Sequence, residues 1–268
     1  MPRRAWYAGN KEILTINNQK MKTFVLTCFF ALALSLNLVQ ASVTTDIETA
    51  NKAGKAVFLV VTDPGNANTV KAVEIATKAQ LQYKNSSVLQ MNRSDAANAE
   101  FVAKNRLSGA PLPLILVIAA NGVVTAGFTS DKATPEALVA AIPSPKKADV
   151  QKYLSQGKSV FIVVTNKSMA TKDNVMNTCQ QACIEMENNA KMIEISLDDP
   201  KEKQFLTELK VDMAATEPMT YVINSKGQIT GTFNDDVNAT TLVASAKKVA
   251  ASGCCPSGSG KSCGPTKK

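Results

Sequence analysis

The chain repeats itself once, and that repeat limits what it can fold into more than any other feature. Lys52-Ala-Gly54-Lys55-Ala-Val-Phe58-Leu-Val-Val-Thr62 returns 103 residues later as Ser155-Gln-Gly157-Lys158-Ser-Val-Phe161-Ile-Val-Val-Thr165. Pro113-Leu-Ile-Leu-Val-Ile-Ala-Ala-Asn-Gly122 returns 105 residues later as Pro218-Met-Thr-Tyr-Val-Ile-Asn-Ser-Lys-Gly227. The phenylalanines beyond residue 41 fall into three pairs: Phe58 with Phe161, Phe101 with Phe205, Phe128 with Phe233. A period of this length makes each copy a whole domain and not one unit of a solenoid. Pro143-Ser-Pro145-Lys-Lys reads as the linker.

Each copy carries the same succession of patterns. A helical stretch (45–53; 148–155) stops at a glycine, a usual helix end. Then comes an apolar run, Val57–Val61 or Val160–Val164, of a kind found in buried strands. A turn and an amphipathic helix follow, near 68–83 and 170–187, then a second strand at Val88–Met91 or Met192–Ile195. In copy two, Asp199-Pro200 predicts a helix with proline at its first position. A proline, a strand, an Asn-Gly or Lys-Gly turn, a strand and a last helix complete each copy. The order is β-α-β-α-β-β-α behind an extra leading helix. It implies an α/β class with a mixed, mostly parallel sheet covered on both faces.

This order, with Pro113 and Pro218 before the third strand and Gly122 and Gly227 in the hairpin turns, resembles the thioredoxin fold over nearly all of 45–250. The resemblance implies two tandem thioredoxin-like domains, 42–144 and 145–252. It also implies that Pro113 and Pro218 stand at the family's cis-proline positions, each beside the turn that opens its own domain's first long helix. Redox enzymes of this kind place Cys-x-x-Cys at that helix N-terminus, where the dipole and backbone N–H groups lower a thiol pKa. Here the corresponding stretches are Thr62-Asp-Pro-Gly-Asn-Ala-Asn68 and Thr165-Asn-Lys-Ser-Met-Ala-Thr171, and neither holds a cysteine. With no histidine anywhere in the chain, Ser-His or Cys-His catalysis and histidine metal ligation are excluded. The reading therefore leans away from an enzyme.

Cys179-Gln-Gln-Ala-Cys183 resembles the Cys-x-x-x-Cys of copper-delivery proteins of this fold, but it lies in the body of the predicted helix and not at the strand end. There the two cysteines share a face with Val175, Met176, Ala182 and Met186. Three readings stand: buried thiols packed as small hydrophobes, a strained i,i+4 disulfide, or a soft-metal site with Met176. Copy two holds six methionines against one in copy one, Met91.

The two ends of the chain carry the remaining signals. Met21-Lys22, the apolar run Thr23–Leu38 and the small residue Ala41 read as a secretory signal peptide over 21–41, cleaved before Ser42. Residues 1–20 read as an upstream extension that is not part of the native protein, the alternative being a long basic leader. Export places the protein in a periplasm or outside the cell, with no membrane span once the signal is cleaved. Removing residues 1–41 takes away five Lys/Arg and one Glu, so the net charge falls from +8 to +4. That is too mild to argue for nucleic acid.

Gly253-Cys254-Cys255-Pro-Ser-Gly-Ser-Gly-Lys-Ser-Cys263 begins a Gly/Ser-rich tail over 253–268, expected to be flexible. Its Pro-Ser-Gly-Ser-Gly-Lys-Ser stretch imitates a phosphate loop but has no strand before it and no helix after it. The tail resembles the vicinal-cysteine tails of soft-metal proteins. Cys254, Cys255 and Cys263 are accordingly expected to bind a soft ion such as Cu(I), Zn(II) or Hg(II), or to form disulfides within the tail or with an exported partner. The expected function is a redox-inactive binding or scaffold protein handling soft metal ions or thiols through its tail. The alternatives are a thiol–disulfide oxidoreductase working through the tail cysteines and a purely structural interaction module.

Overall fold

The computed structural model describes residues 42–234 and 237–249. Copy one runs α1 (Val43–Lys52), β1 (Ala56–Thr62), α2 (Thr69–Gln82), β2 (Ser86–Asn92), a 3-10 turn (Ala96–Asn98), α3 (Ala99–Lys104), β3 (Leu114–Ile118), β4 (Val124–Thr129) and α4 (Pro135–Ala140). Copy two repeats it as α5 (Pro145–Ser155), β5 (Ser159–Thr165), α6 (Lys172–Glu185), β6 (Ala190–Ser196), α7 (Lys203–Glu208), β7 (Met219–Ile223), β8 (Ile229–Asn234) and α8 (Ala239–Lys247).

Each copy forms its own four-stranded sheet, in the order β2-β1-β3-β4 and β6-β5-β7-β8. The sheets are mixed as expected, yet only β1–β2 and β5–β6 pair in parallel. β3 and β7 run against both of their neighbours, because each enters the sheet from the far end and turns back through a tight hairpin. This strand order, with the third strand reversed, is the thioredoxin fold. The phenylalanine pairs hold in register: Phe58 lies beside Val88 and Val117 as Phe161 lies beside Met192 and Val222. Phe128 faces Ile115 as Phe233 faces Thr220.

The central strands are apolar throughout because they are buried on both faces. Val57, Leu59 and Val61 point into a core closed by α1 and α3, while Phe58 and Val60 point into one closed by α2 and α4. Copy two does the same: Val160, Ile162 and Val164 face one way, Phe161 and Val163 the other. Phe58 and Phe161 are fully buried, and each such burial contributes about 1.5–3 kcal/mol.

Two helix starts differ from the sequence reading. α5 begins at Pro145, inside the stretch read as linker, with Ser144 as its N-cap; proline suits a first turn whose N–H has no intrahelical partner. α7 begins at Lys203 and not at Pro200. The Asp199 side chain first accepts from the Lys201 N–H, and the Glu202 N–H bonds back to the Asp199 carbonyl, so a turn forms ahead of the helix.

A buried polar residue occupies the same place in both copies. Asn98 accepts from the Val43 N–H at the start of α1 (3.0 Å) and donates to the Asn92 carbonyl (3.0 Å). Glu202, 1% exposed, accepts from Ser144 Oγ (2.6 Å) and from the Lys146 N–H (2.9 Å) at the start of α5. Each side chain thus satisfies a backbone donor that a helix N-terminus leaves without a partner.

The copies touch where the β3–β4 hairpin meets α5. Ala119, Val123 and Ala148 form a small apolar cluster, and Asn121 Nδ2 donates to Asp149 Oδ1 at 3.0 Å.

Candidate functional site

The resemblance draws attention to the loop between the first central strand and the helix after it. Leu114, the residue after Pro113, pairs with Val61, and Met219, after Pro218, pairs with Val164. Both prolines therefore lie beside the loops that open α2 and α6, as the resemblance implies. The Leu112–Pro113 bond is cis. The Glu217–Pro218 bond is not, against the expectation of a matched pair; trans is the lower-energy form of an X–Pro bond unless its surroundings select otherwise.

In copy one the loop is closed by polar bonds. Asp63 Oδ2 meets Arg93 Nη2 at 2.6 Å, and Ser94 Oγ donates to Asp63 Oδ1 at 3.0 Å. Arg93 Nη1 reaches on to the carbonyls of Leu107 (3.2 Å) and Ala110 (2.8 Å), in the segment that leads to Pro113. Thr62 and Thr69 join hydroxyls at 2.6 Å across the loop. One guanidinium thus ties the loop, the end of β2 and the proline segment together.

Copy two solves the same problem with other residues. Thr165, fully buried, donates to Glu194 Oε1 (2.8 Å), which also meets Lys172 Nζ (2.7 Å) at the start of α6. The Lys172 ammonium, helped by the Thr165 hydroxyl, holds the Glu194 carboxyl below its ordinary range, and Glu194 in turn raises Lys172. The Asn166 N–H points at Met169 Sδ, 3.2 Å away. The loop residues were readable in the sequence as a place without cysteine. Arg93, Glu194 and Lys172 were not, because their partners are 20–30 residues away and only the fold joins them.

Cys179 and Cys183 lie in the body of α6, facing the sheet among Phe161, Val163, Val175, Ala182, Val222 and Leu242. Both are free thiols, so the i,i+4 disulfide is not formed. Burial pushes Cys179 up to about 12, despite the Thr220 hydroxyl 3.9 Å away, and Cys183 up to about 11, partly offset by the Lys191 charge. Such groups are protonated at neutral pH and poor nucleophiles. Cys254, Cys255 and Cys263, the 21–41 leader and residues 1–20 lie outside the described residues. Among the described residues no helix is long and apolar enough to cross a membrane.

No family model matches the chain, and no curated protein does. Solved structures do. The first two thioredoxin domains of Saccharomyces cerevisiae Eps1p are 12% identical, covering 78% of this chain and 96% of that one, with a TM-score of 0.28. The NTD_N/C domain of alkylhydroperoxide reductase AhpF from Enterococcus faecalis is 13% identical, covering 76% and 98%, at 0.27. A thiol:disulfide interchange protein from Chlorobium tepidum is 13% identical, covering 36% and 81%, at 0.28. Strand order, register and proline placement define the fold independently of these likenesses. By those three features, the described chain is a pair of thioredoxin-like folds in tandem.

Proposed function

We propose that this is an exported, redox-inactive binding or scaffold protein whose tail thiols, Cys254, Cys255 and Cys263, take a soft metal ion or a partner's thiol. The observation that carries the reading is the state of the two loops where this fold places a reactive dithiol. Neither contains cysteine, and each is held shut by hydrogen bonds and an ion pair, through Arg93 in one copy and Glu194 in the other. A thiolate at a helix N-terminus needs a sulfur there and open access to it. What stays in play is the fold as a platform, with the tail as its thiol-bearing arm. Adjacent cysteines on a Gly/Ser segment bring two thiolates to one ion, and the seven residues before Cys263 are long enough to turn back as a third ligand.

The test compares the full chain with the variant carrying Cys254→Ser, Cys255→Ser and Cys263→Ser. The full chain is expected to retain Hg(II), Zn(II) or Cu(I) in stoichiometric excess over the variant, and to show no catalytic turnover with a disulfide substrate and a thiol reductant. Many turnovers per chain, lost in the serine variant, would overturn the proposal in favour of an oxidoreductase acting through its tail.

A further inference from the structure

Copy two carries sulfur where copy one has none. Along α6 and its C-cap, Met176, Cys179, Cys183 and Met186 follow at i, i+3, i+7 and i+10, one continuous stripe. Met192 on β6 packs against the same cluster, so five sulfur side chains converge on one face of the copy-two sheet. The helices α2 and α6 match end to end with an offset of 103. The equivalent residues of copy one are therefore Val73, Ala76, Gln80 and Tyr83, with Val88 in the place of Met192. Copy one packs the same face of the same fold without any of these sulfurs. Sulfur there is not a requirement of the architecture.

We propose that Cys179 and Cys183 form a buried Cu(I) site, bordered by the thioethers of Met176, Met186 and Met192. Residues four apart on a helix have their Cβ atoms about 5–6 Å apart, so one small ion can sit between the two sulfurs. Thiolate and thioether donors select Cu(I), and among the described residues no third His, Cys, Asp or Glu stands by to complete a zinc tetrahedron. Uptake is an exchange without electron transfer. Two S–H bonds break, two S–Cu bonds form, two protons leave to solvent, and the bis-thiolate complex carries one negative charge. Lys191, whose charge already acts on Cys183, supplies the counter-charge. Entry is from the Met186 end. Met186 lines a surface pocket of about 240 Å³ with Gly157, Ser159 and Asn189, and Cys183, one turn away, is 7% exposed. This site goes beyond the tail reading and does not rest on it.

The test uses the full chain with Cys28, Cys254, Cys255 and Cys263 all changed to serine, which leaves Cys179 and Cys183 as its only thiols. Titrated anaerobically with Cu(I) against a chromophoric Cu(I) chelator, this chain is expected to withhold one equivalent and to leave Zn(II) in solution. Adding Cys179→Ala and Cys183→Gln, the residues copy one uses at these positions, is expected to release that equivalent with the circular dichroism unchanged. Cys183→Ser alone serves as a milder second variant and is expected to weaken retention at least tenfold. A four-serine chain that withholds no Cu(I), or equal retention in the Ala/Gln chain, overturns the site. The tail reading is judged separately, by the metal that the wild-type chain holds beyond the four-serine chain.

Discussion

Replacing Glu202 should unfasten α5 from copy two. Its carboxylate is 1% exposed and accepts from Ser144 Oγ at 2.6 Å and from the Lys146 N–H at 2.9 Å. Hydrogen bonds to a charged group contribute about 1.5–3 kcal/mol each, and the position at a helix N-terminus favours negative charge further. Glu202→Ala is thus expected to cost about 3–6 kcal/mol, on two bonds of that size. Glu202→Gln keeps an oxygen for the Lys146 N–H, and its amide can donate to a turned Ser144 hydroxyl, so the loss falls to about 1–2 kcal/mol. Asn98→Ala, the matching change in copy one, removes two neutral bonds and should cost about 1–3 kcal/mol. Urea unfolding followed by circular dichroism gives the ranking, and hydrogen exchange of residues 144–155 shows whether the loss is local to α5. A Glu202→Ala chain within 1 kcal/mol of wild type would show that these two bonds do not hold α5 in place. A Gln variant as costly as the Ala variant would contradict the expected ranking. The first result would mean that the cost of burying this carboxylate cancels its bonds, the second that its charge and not its oxygen atoms holds α5.

Three further outcomes follow from the pKa shifts. In the four-serine chain, Cys179 and Cys183 should resist a thiol reagent near pH 8 while folded and react fully in denaturant, because burial keeps them protonated up to about 12 and 11; rapid native labelling of both would contradict this. Their raised folded pKa values also fix a sign: the contribution to stability is complete below the unfolded value of 9.0 and declines as pH rises through about 11 to 12, since the unfolded chain loses those protons first. Cys179→Ala should flatten that decline in unfolding curves collected above pH 9. Lys172→Met should move the Glu194 carboxyl resonance titration upward, because the Lys172 ammonium is the main group holding it down; an unmoved midpoint would remove Lys172 from that role.

The fold was legible in the sequence because its strongest signals are local and doubled. The runs Val57–Val61 and Val160–Val164, the Gly122 and Gly227 turns and the phenylalanine pairs each fix an element without knowledge of its neighbours. The placement of Cys179 and Cys183 on the buried face of a helix followed from spacing alone. What the sequence hid depends on tertiary partners. Asn98 and Glu202 do one job with different side chains, so the repeat conceals their kinship. Arg93 meets Asp63 across thirty residues, and Glu194 on β6 meets Lys172 at the start of α6. The starts of α5 and α7 were misplaced because Pro145 looked like a linker residue and Asp199 makes a turn before its helix. The state of the Glu217–Pro218 bond has no local signature at all.

The hairpin that joins the copies also makes them impossible to exchange. Ala119 and Val123, which seat Ala148 of α5, correspond in copy two to Asn224 and Gln228. Asn224 is buried and already committed: its amide donates to Gln228 Oε1 and to the Lys248 carbonyl, and its oxygen takes the N–H groups of Lys226 and Gln228. Ala148 likewise corresponds to Thr45 in α1. The duplicated unit has diverged into a socket-bearing half and a plug-bearing half. A chain engineered with the halves in reverse order would present a polar, self-satisfied hairpin to a threonine and lose its junction. The duplication is directional.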